Sequence, residues 1–486
     1  MPELSLAAQS VFRMCYGVLL LAVLLAALPH SRRFFLSERW GGYAESSWDV
    51  DVLQNPVALP LVLAVWLACG VLITLAVWTL WAAFVNLLLC RYFFVWMRWK
   101  GVLRGMGAPG FMTYWVGLAV FLLELATQYA PGLRSLALLV VQVDFALIIL
   151  SSGVYKFTAG YPQNHGMELG LVNPEWGYWP KFYRRLAPGH PLIRTLNHLA
   201  WSTEVVAAVL MLIPSAILHL LGALLIVISF IFISTQIRLG VLCEMVIICA
   251  LLFIPGGVGD TWLQHLIPAG VAIDSQSSGG GPAWLQPVLA VGLILYVCLL
   301  PLAHAGLYFN FYARRSLPKP LQLALDRYTN FFGIIIWRVF SVDVVNFFIR
   351  IYRVSKESGQ RILVSKWGHP RESLRYSHVA ESITVTSVFT TLKYYPSNSG
   401  LFHQRLLRYA RTLGSQERES LVFKYLDITK RANGFEFRDV AEFTVDVGAA
   451  TVSCQPVQDQ TLIHAAHPVS PVHEGIRPGT YAPLGA

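Results

Sequence analysis

Long apolar runs separated by short polar connections fill roughly the first 300 positions of the chain. About 20 apolar residues cross a bilayer as a helix. Windows of that kind fall near 11–28, 57–77, 78–98, 111–129, 134–156, 198–214, 216–236, 239–254 and 284–306, which predicts about nine spans. The stretch from Val57 to Trp96 fits two spans joined by a tight turn or one long tilted helix, and the choice sets the parity of the topology. The run Val18 to Leu28 follows Arg13, with no small-residue cleavage pattern before Arg32 and Arg33, so it reads as a retained first span.

The pattern breaks after Phe157. YPQNHGMELGLVNPEWGYWPKFYRRLAPGHP mixes prolines and glycines with Tyr161, Trp176, Tyr178, Trp179, Phe182 and Tyr183. Tryptophan and tyrosine favour the headgroup level, which predicts a cap lying on the membrane surface. A second loop, 255–283, is rich in Gly and Ser and reads as mobile. Residues 307–352 alternate cationic clusters (Arg314, Arg315, Lys319, Arg327, Arg338, Arg350) with apolar ones. FFGIIIWRVF is too short to cross, so an interfacial pair of amphipathic helices is expected there.

From about Ile351 the composition is that of a soluble domain. ESITVTSVFTTLKYY and FEFRDVAEFTVDV alternate with period two and are rich in Val, Thr, Phe and Tyr, which predicts strands. LFHQRLLRYARTL between them reads as an amphipathic helix. The expected fold is therefore a polytopic α-helical membrane bundle over 1–306, amphipathic interfacial helices over 307–352, a small α+β soluble domain over 353–460 and a disordered tail over 461–486.

Composition agrees. Of 486 residues, 55% are hydrophobic and only 13% charged, too little polar surface for a soluble protein of this length. The net charge of +10 sits in the connections and along the amphipathic stretch, which favours lipid headgroups over nucleic acid as the anionic neighbour. Cys15, Cys69, Cys90, Cys243, Cys249 and Cys298 fall inside apolar runs and Cys454 stands alone, without any CxxC, so they read as buried, inert thiols. With nine spans, one side receives Arg32, Arg33, Arg39, Arg98, Lys100, Arg104, Lys181, Arg184, Arg185, Arg194, Arg238 and the basic segment after residue 306. The positive-inside rule then places the C-terminal domain in the cytoplasm.

Candidate chemistry lies in the few charges within the spans: Glu124, Asp144, Lys156, Glu204, Arg238 and Glu244. Such residues face a bundle interior or a cavity and are site hypotheses by default. Lys156 ends DFALIILSSGVYK, with Ser152 one helical turn earlier on the same face. It can snorkel to the interface, pair, or, sheltered from water, act as base or nucleophile. Asp144 lies about 18 Å from it along one helix, too far to pair. Glu204 opens the sixth span as a charge favoured by the helix dipole, and Arg238 is its candidate partner. His165, His190 and His198 cluster around the aromatic loop, and His219 and His304 are alone in apolar runs, without metal-binding spacing. There is no GxSxG, P-loop or strand–helix GxGxxG.

At DFALIILSSGVYK followed by GMELGLVNPEW the chain resembles the horizontally transferred transmembrane (HTTM) superfamily, which includes the vitamin K-dependent gamma-carboxylases. Ser152, Gly153, Val154 and Lys156 match the end of its characteristic span, and Gly166, Met167, Glu168 and Leu169 the turn that follows. The resemblance covers roughly 10–310. KYYPSNSGLFHQRLLRYARTL is similar to a segment near the end of the lipase maturation factors. The carboxylase resemblance implies Lys156 as the base that deprotonates a quinol, and an extracytoplasmic C-terminal domain, opposite to the charge count. The carboxylases' tryptophan after that lysine is replaced here by Thr158, Ala159, Gly160 and Tyr161.

Two expectations result. One is a maturation or assembly factor, or a subunit of a membrane complex, with membrane lipids and a protein client as partners. The other is an intramembrane enzyme acting on a quinone-like or lipid substrate, with Lys156 as base and Glu204 or Arg238 tuning it. The first ranks ahead.

Overall fold

The run from Val57 to Trp96 breaks in two, because Ala76 and Trp78 take left-handed backbone angles, φ 60° and 46°, that a continuous helix cannot hold. In the computed structural model, which describes residues 3–97, 107–267, 282–313, 315–337, 342–364, 376–414 and 418–456, the long apolar segments are α1 (Leu6–Ala27), α2 (Ala58–Leu75), α3 (Thr79–Cys90, prolonged as a wider turn to Trp96), α4 (Gly107–Tyr129) and α5 (Arg134–Thr158). A short α6 (Met167–Val172) lies in the aromatic loop, before α7 (Pro191–Leu212), α8 (Ala216–Gln236), α9 (Leu242–Cys249) and α10 (Leu285–Ala313). Among the described residues, eight helical segments are long and apolar enough to cross a membrane, and they fit a multi-pass membrane protein.

Leu242–Phe253 is a shorter apolar helix rather than a ninth full-length span. It nevertheless carries the chain from one end of the bundle to the other. Just before it, Gln236 accepts from the Tyr178 backbone N–H at 3.0 Å; just after it, Gly256 donates to the Glu3 carbonyl at 3.1 Å. Its 12 residues rise about 18 Å, less than a hydrocarbon core. Backbone off the helical ladder is tolerated at depth when it is buried in protein, and here Leu242, Cys243, Met245, Val246, Cys249, Leu252 and Phe253 are all buried. Gln142 caps the freed Leu252 carbonyl at 2.7 Å.

Exposed tryptophans mark both ends. Trp78, Trp81, Trp262 and Trp284 stand at the N-terminal end, Trp40, Trp48, Trp96 and Trp179 at the other, as expected of aromatics at two headgroup levels. The second end carries the C-terminal domain, so we refer to it as the sheet end.

Among the described residues of 307–352, one long amphipathic helix follows the last span, with a single further helical turn at Val342–Val345; residues 338–341, the end of FFGIIIWRVF and its flank, lie outside the described residues. The last span runs on to Ala313, and α11 (Lys319–Phe332) follows, burying Leu325 and Thr329. Gly333 then ends it in the left-handed conformation, φ 74°. The sheet starts at Phe347, earlier than 353. Strands β1 (Phe347–Ser355), β2 (Arg361–Leu363), β3 (Glu419–Arg431), β4 (Gly434–Asp446) and β5 (Thr451–Pro456) form one antiparallel sheet in the order β2-β1-β3-β4-β5. FEFRDVAEFTVDV is β4, as its alternation predicts.

ESITVTSVFTTLKYY is not a strand. It forms most of α12 (Tyr376–Tyr394), followed by the expected amphipathic helix as α13 (Ser399–Thr412). Burial on nearly every side, between bundle and sheet, erases the helical period from its sequence, and its threonines turn inward onto the helix: Thr384 bonds the Ala380 carbonyl at 2.7 Å and Thr390 the Ser387 carbonyl at 3.0 Å. Phe389 and Phe402 pack at 5.4 Å and meet Phe443, which pairs with Phe423 across β3 and β4. Of the cysteines, Cys298 and Cys454 are exposed and Cys15 is half-buried, against the expectation of burial throughout. The 461–486 tail, residues 268–281 of the Gly/Ser loop, Arg98, Lys100, Arg104, Arg314 and Arg338 lie outside the described residues.

Candidate functional site

Gly153 lets two helices touch. A Cβ built there would lie 2.7 Å from Val205 Cγ2 and 3.0 Å from the Val205 nitrogen, so α5 and α7 pack with almost no gap. One turn further along α5, Lys156 reaches across this contact and its Nζ donates to Glu204 Oε1. Both side chains are buried, 5% and 2% exposed, so the lysine pairs inside the bundle and does not snorkel.

The pair borders a cavity of about 20 Å³, bounded by Ser152, Met167, Phe230, Leu239 and Trp337 among others. That is room for one water molecule, and no space for a quinone ring. Two buried oxygens beside it, Ser152 Oγ and Glu204 Oε2, have no hydrogen-bond partner among the described residues.

Arg238, expected to pair with Glu204, is used elsewhere. Its Nη1 donates to the Pro174 carbonyl at 2.8 Å, its backbone N–H to Trp176 at 2.8 Å, and its guanidinium lies 4.9 Å from the Tyr178 ring centre. It holds the aromatic loop down onto the bundle. The remaining intramembrane acids are dispersed. Asp144 accepts from Trp115 Nε1 at 2.9 Å and Tyr296 OH at 2.7 Å, Glu124 accepts from Gln9 Nε2 at 3.1 Å, and Glu244 is exposed. Arg13, which precedes the apolar run Val18–Leu28, is buried in α1 and donates to Thr79 at 3.2 Å.

The aromatic loop fastens the C-terminal domain, and Tyr161, Trp176 and Tyr183, expected at a headgroup surface, are buried in protein. Tyr161 fills the space beside Gly166, where a Cβ would stand 2.2 Å from its ring. Burial pushes its phenol well above the ordinary value, and Tyr155, Glu168 and Glu204 add to the shift. Glu168, fully buried, accepts from the Gly166 N–H at 3.0 Å and Asn197 Nδ2 at 2.9 Å, and pairs with Lys430 of β3 at 2.5 Å. Asn173 donates to the carbonyls of Val345 and Phe347 at 2.9 and 2.8 Å, and Glu175 accepts from the Ile349 N–H at 2.8 Å. Burial pushes the Glu175 carboxyl up to about 8, although the bonds from Ile349 and Thr386 oppose it. A second clamp joins the α1 end to the helical layer: Arg33 grips Glu381 through two bonds of 2.9 and 3.0 Å, Tyr409 donates to the same carboxylate, and Arg408 pairs with Glu38 at 2.9 Å.

None of Asn173, Glu175, Asn197 or Lys430 stood out from the sequence. The one local signal was a pair of polar residues flanking a proline, Asn173-Pro174-Glu175, inside an otherwise aromatic segment. Among the described residues no group of three or more His, Cys, Asp or Glu side chains converges as a metal site would.

Fold and site together define a polytopic membrane protein with a buried ion pair, Lys156–Glu204, between two of its helices and an α+β domain bolted to one end of its bundle. No family model, no curated protein and no solved structure matches the chain.

Proposed function

We propose that the chain is an HTTM-like membrane maturation or assembly factor, in which the bundle holds the α+β domain rigidly at the membrane surface to engage a protein client or the other subunits of a complex. The observation that carries this reading is the clamp: buried or half-buried polar side chains from the aromatic loop and the α1 end meet β1, β3 and α12. Contacts of that kind hold one geometry, as a docking platform requires, rather than tethering a domain loosely. The Lys156–Glu204 pair then stabilises the packing of α5 on α7. Purification of the full chain from its native membrane should recover a specific polypeptide in stoichiometric amount. The Lys156→Met/Glu204→Gln variant should retain that polypeptide and its maturation; loss of maturation with the fold intact would overturn the proposal.

A second reading is favoured by the two unpartnered oxygens beside the pair. An intramembrane enzyme related to the vitamin K-dependent carboxylases would use Lys156 as base, with Glu204 holding it in place and a quinone-like or lipid substrate entering past Phe230 and Trp337 once the cavity widens. Arg238, directed at Pro174 and Tyr178, would position the loop rather than take part in the reaction. A hydrophobic quinone photoprobe should then label residues lining this cavity, and Lys156→Met/Glu204→Gln should abolish the labelling; labelling that is unchanged or falls elsewhere would rule this reading out.

A further inference from the structure

A second and larger cavity, about 310 Å³, opens between the end of α1 and the start of α2 at the sheet end. Its walls are Leu28, Leu36, Leu59, Leu63 and Leu67 with Pro56 and Pro60, and Ser31 and Arg32 stand at the rim. That volume is at the lower end of those that hold a small ligand. The surface around it is bare aliphatic: Leu25, Val57 and Leu61 are 57%, 85% and 67% exposed. Such side chains face hydrocarbon, so the groove opens sideways to lipid and not to water.

The rim lies at the headgroup level, since Arg32 follows the full length of α1 and precedes the exposed Trp40 and Trp48. Its neighbours are engaged, Arg33 with Glu381 and Arg39 with Asp51 at 3.9 Å. Arg32 is exposed and has no hydrogen-bond or ion-pair partner among the described residues. The Ser31 hydroxyl donates to the Leu28 carbonyl at 2.8 Å and so keeps its lone pairs free to accept.

We propose that this groove is a binding site for one anionic phospholipid of the sheet-end leaflet, with an acyl chain along the leucine walls and the phosphate on Arg32. An apolar slot beside a cation that is unpaired among the described residues, at phosphate depth, complements that molecule at both ends. A water-soluble phosphate would use only the rim, and a zwitterionic lipid would bring its own cation to Arg32.

The full chain, purified in detergent and incubated with vesicles of either phosphatidylglycerol or phosphatidylcholine, is the material for the test, and native mass spectrometry counts the lipid retained. One phosphatidylglycerol per chain should survive conditions that strip phosphatidylcholine. Arg32→Gln should weaken its retention about fivefold, the effect of one cation at an anionic surface. Ala64→Trp, which fills the groove from an exposed position, should weaken it as well. Equal retention of the two lipids, an unchanged Arg32→Gln, an unchanged Ala64→Trp, or displacement by glycerol phosphate as effective as by the intact lipid would each overturn the assignment.

Discussion

Replacing Glu204 by Gln removes the only carboxylate bonded to Lys156 among the described residues, and leaves an ammonium group in a space that admits a single water. Breaking a buried pair from one side costs about 3–5 kcal/mol, because the remaining charge keeps its desolvation penalty and loses its compensation. An exposed pair would cost about 0–1 kcal/mol. Side-chain exposures of 5% and 2% place this pair in the first class. Lys156→Met alone should cost a similar amount, since Glu204 is then the stranded charge. Lys156→Met/Glu204→Gln removes both charges, keeps most of the volume and should recover most of the loss. Denaturant unfolding of the four proteins in mixed micelles completes the double-mutant cycle. Single losses below about 1 kcal/mol, or a double variant that loses the sum of the two, would refute the claim that these groups neutralise each other inside the bundle.

Three further expectations concern the packing around this pair and the clamp above it. Gly153→Ala sets a methyl 2.7 Å from Val205 Cγ2 and should cost about 1–3 kcal/mol in the same unfolding assay, with no charge altered. Glu175 titrates near 8 when docked and near 4.5 when free, so the stability it permits is complete below about 4.5 and is lost as pH rises through about 8; unfolding midpoints across that window should fall, and Glu175→Gln should flatten the fall. Lys430→Met leaves Glu168 with its Gly166 and Asn197 donors but without its cation, a loss of about 2 kcal/mol that Lys430→Met/Glu168→Gln should largely restore.

Hydrophobic content and its period determined, from the sequence alone, that the chain is a multi-pass helical bundle with a small mixed domain behind it, because a bilayer demands long apolar helices whatever their neighbours. The alternation of FEFRDVAEFTVDV likewise sufficed for β4, which has one face against the helices and one less buried. ESITVTSVFTTLKYY misled, since a helix buried on nearly all sides carries no period of its own and its β-branched residues imitate a strand. Lys156, Glu204 and Arg238 could be named as rare charges in apolar surroundings, yet their partners could not. Pairing across helices depends on rotation and approach, set here by Gly153 against Val205, and on a loop that diverts Arg238 to Pro174. The clamp was the least legible part. Asn173, Glu175 and Lys430 are ordinary residues in sequence, and acquire their role only where a loop, a strand and a helix exclude water from the same small volume.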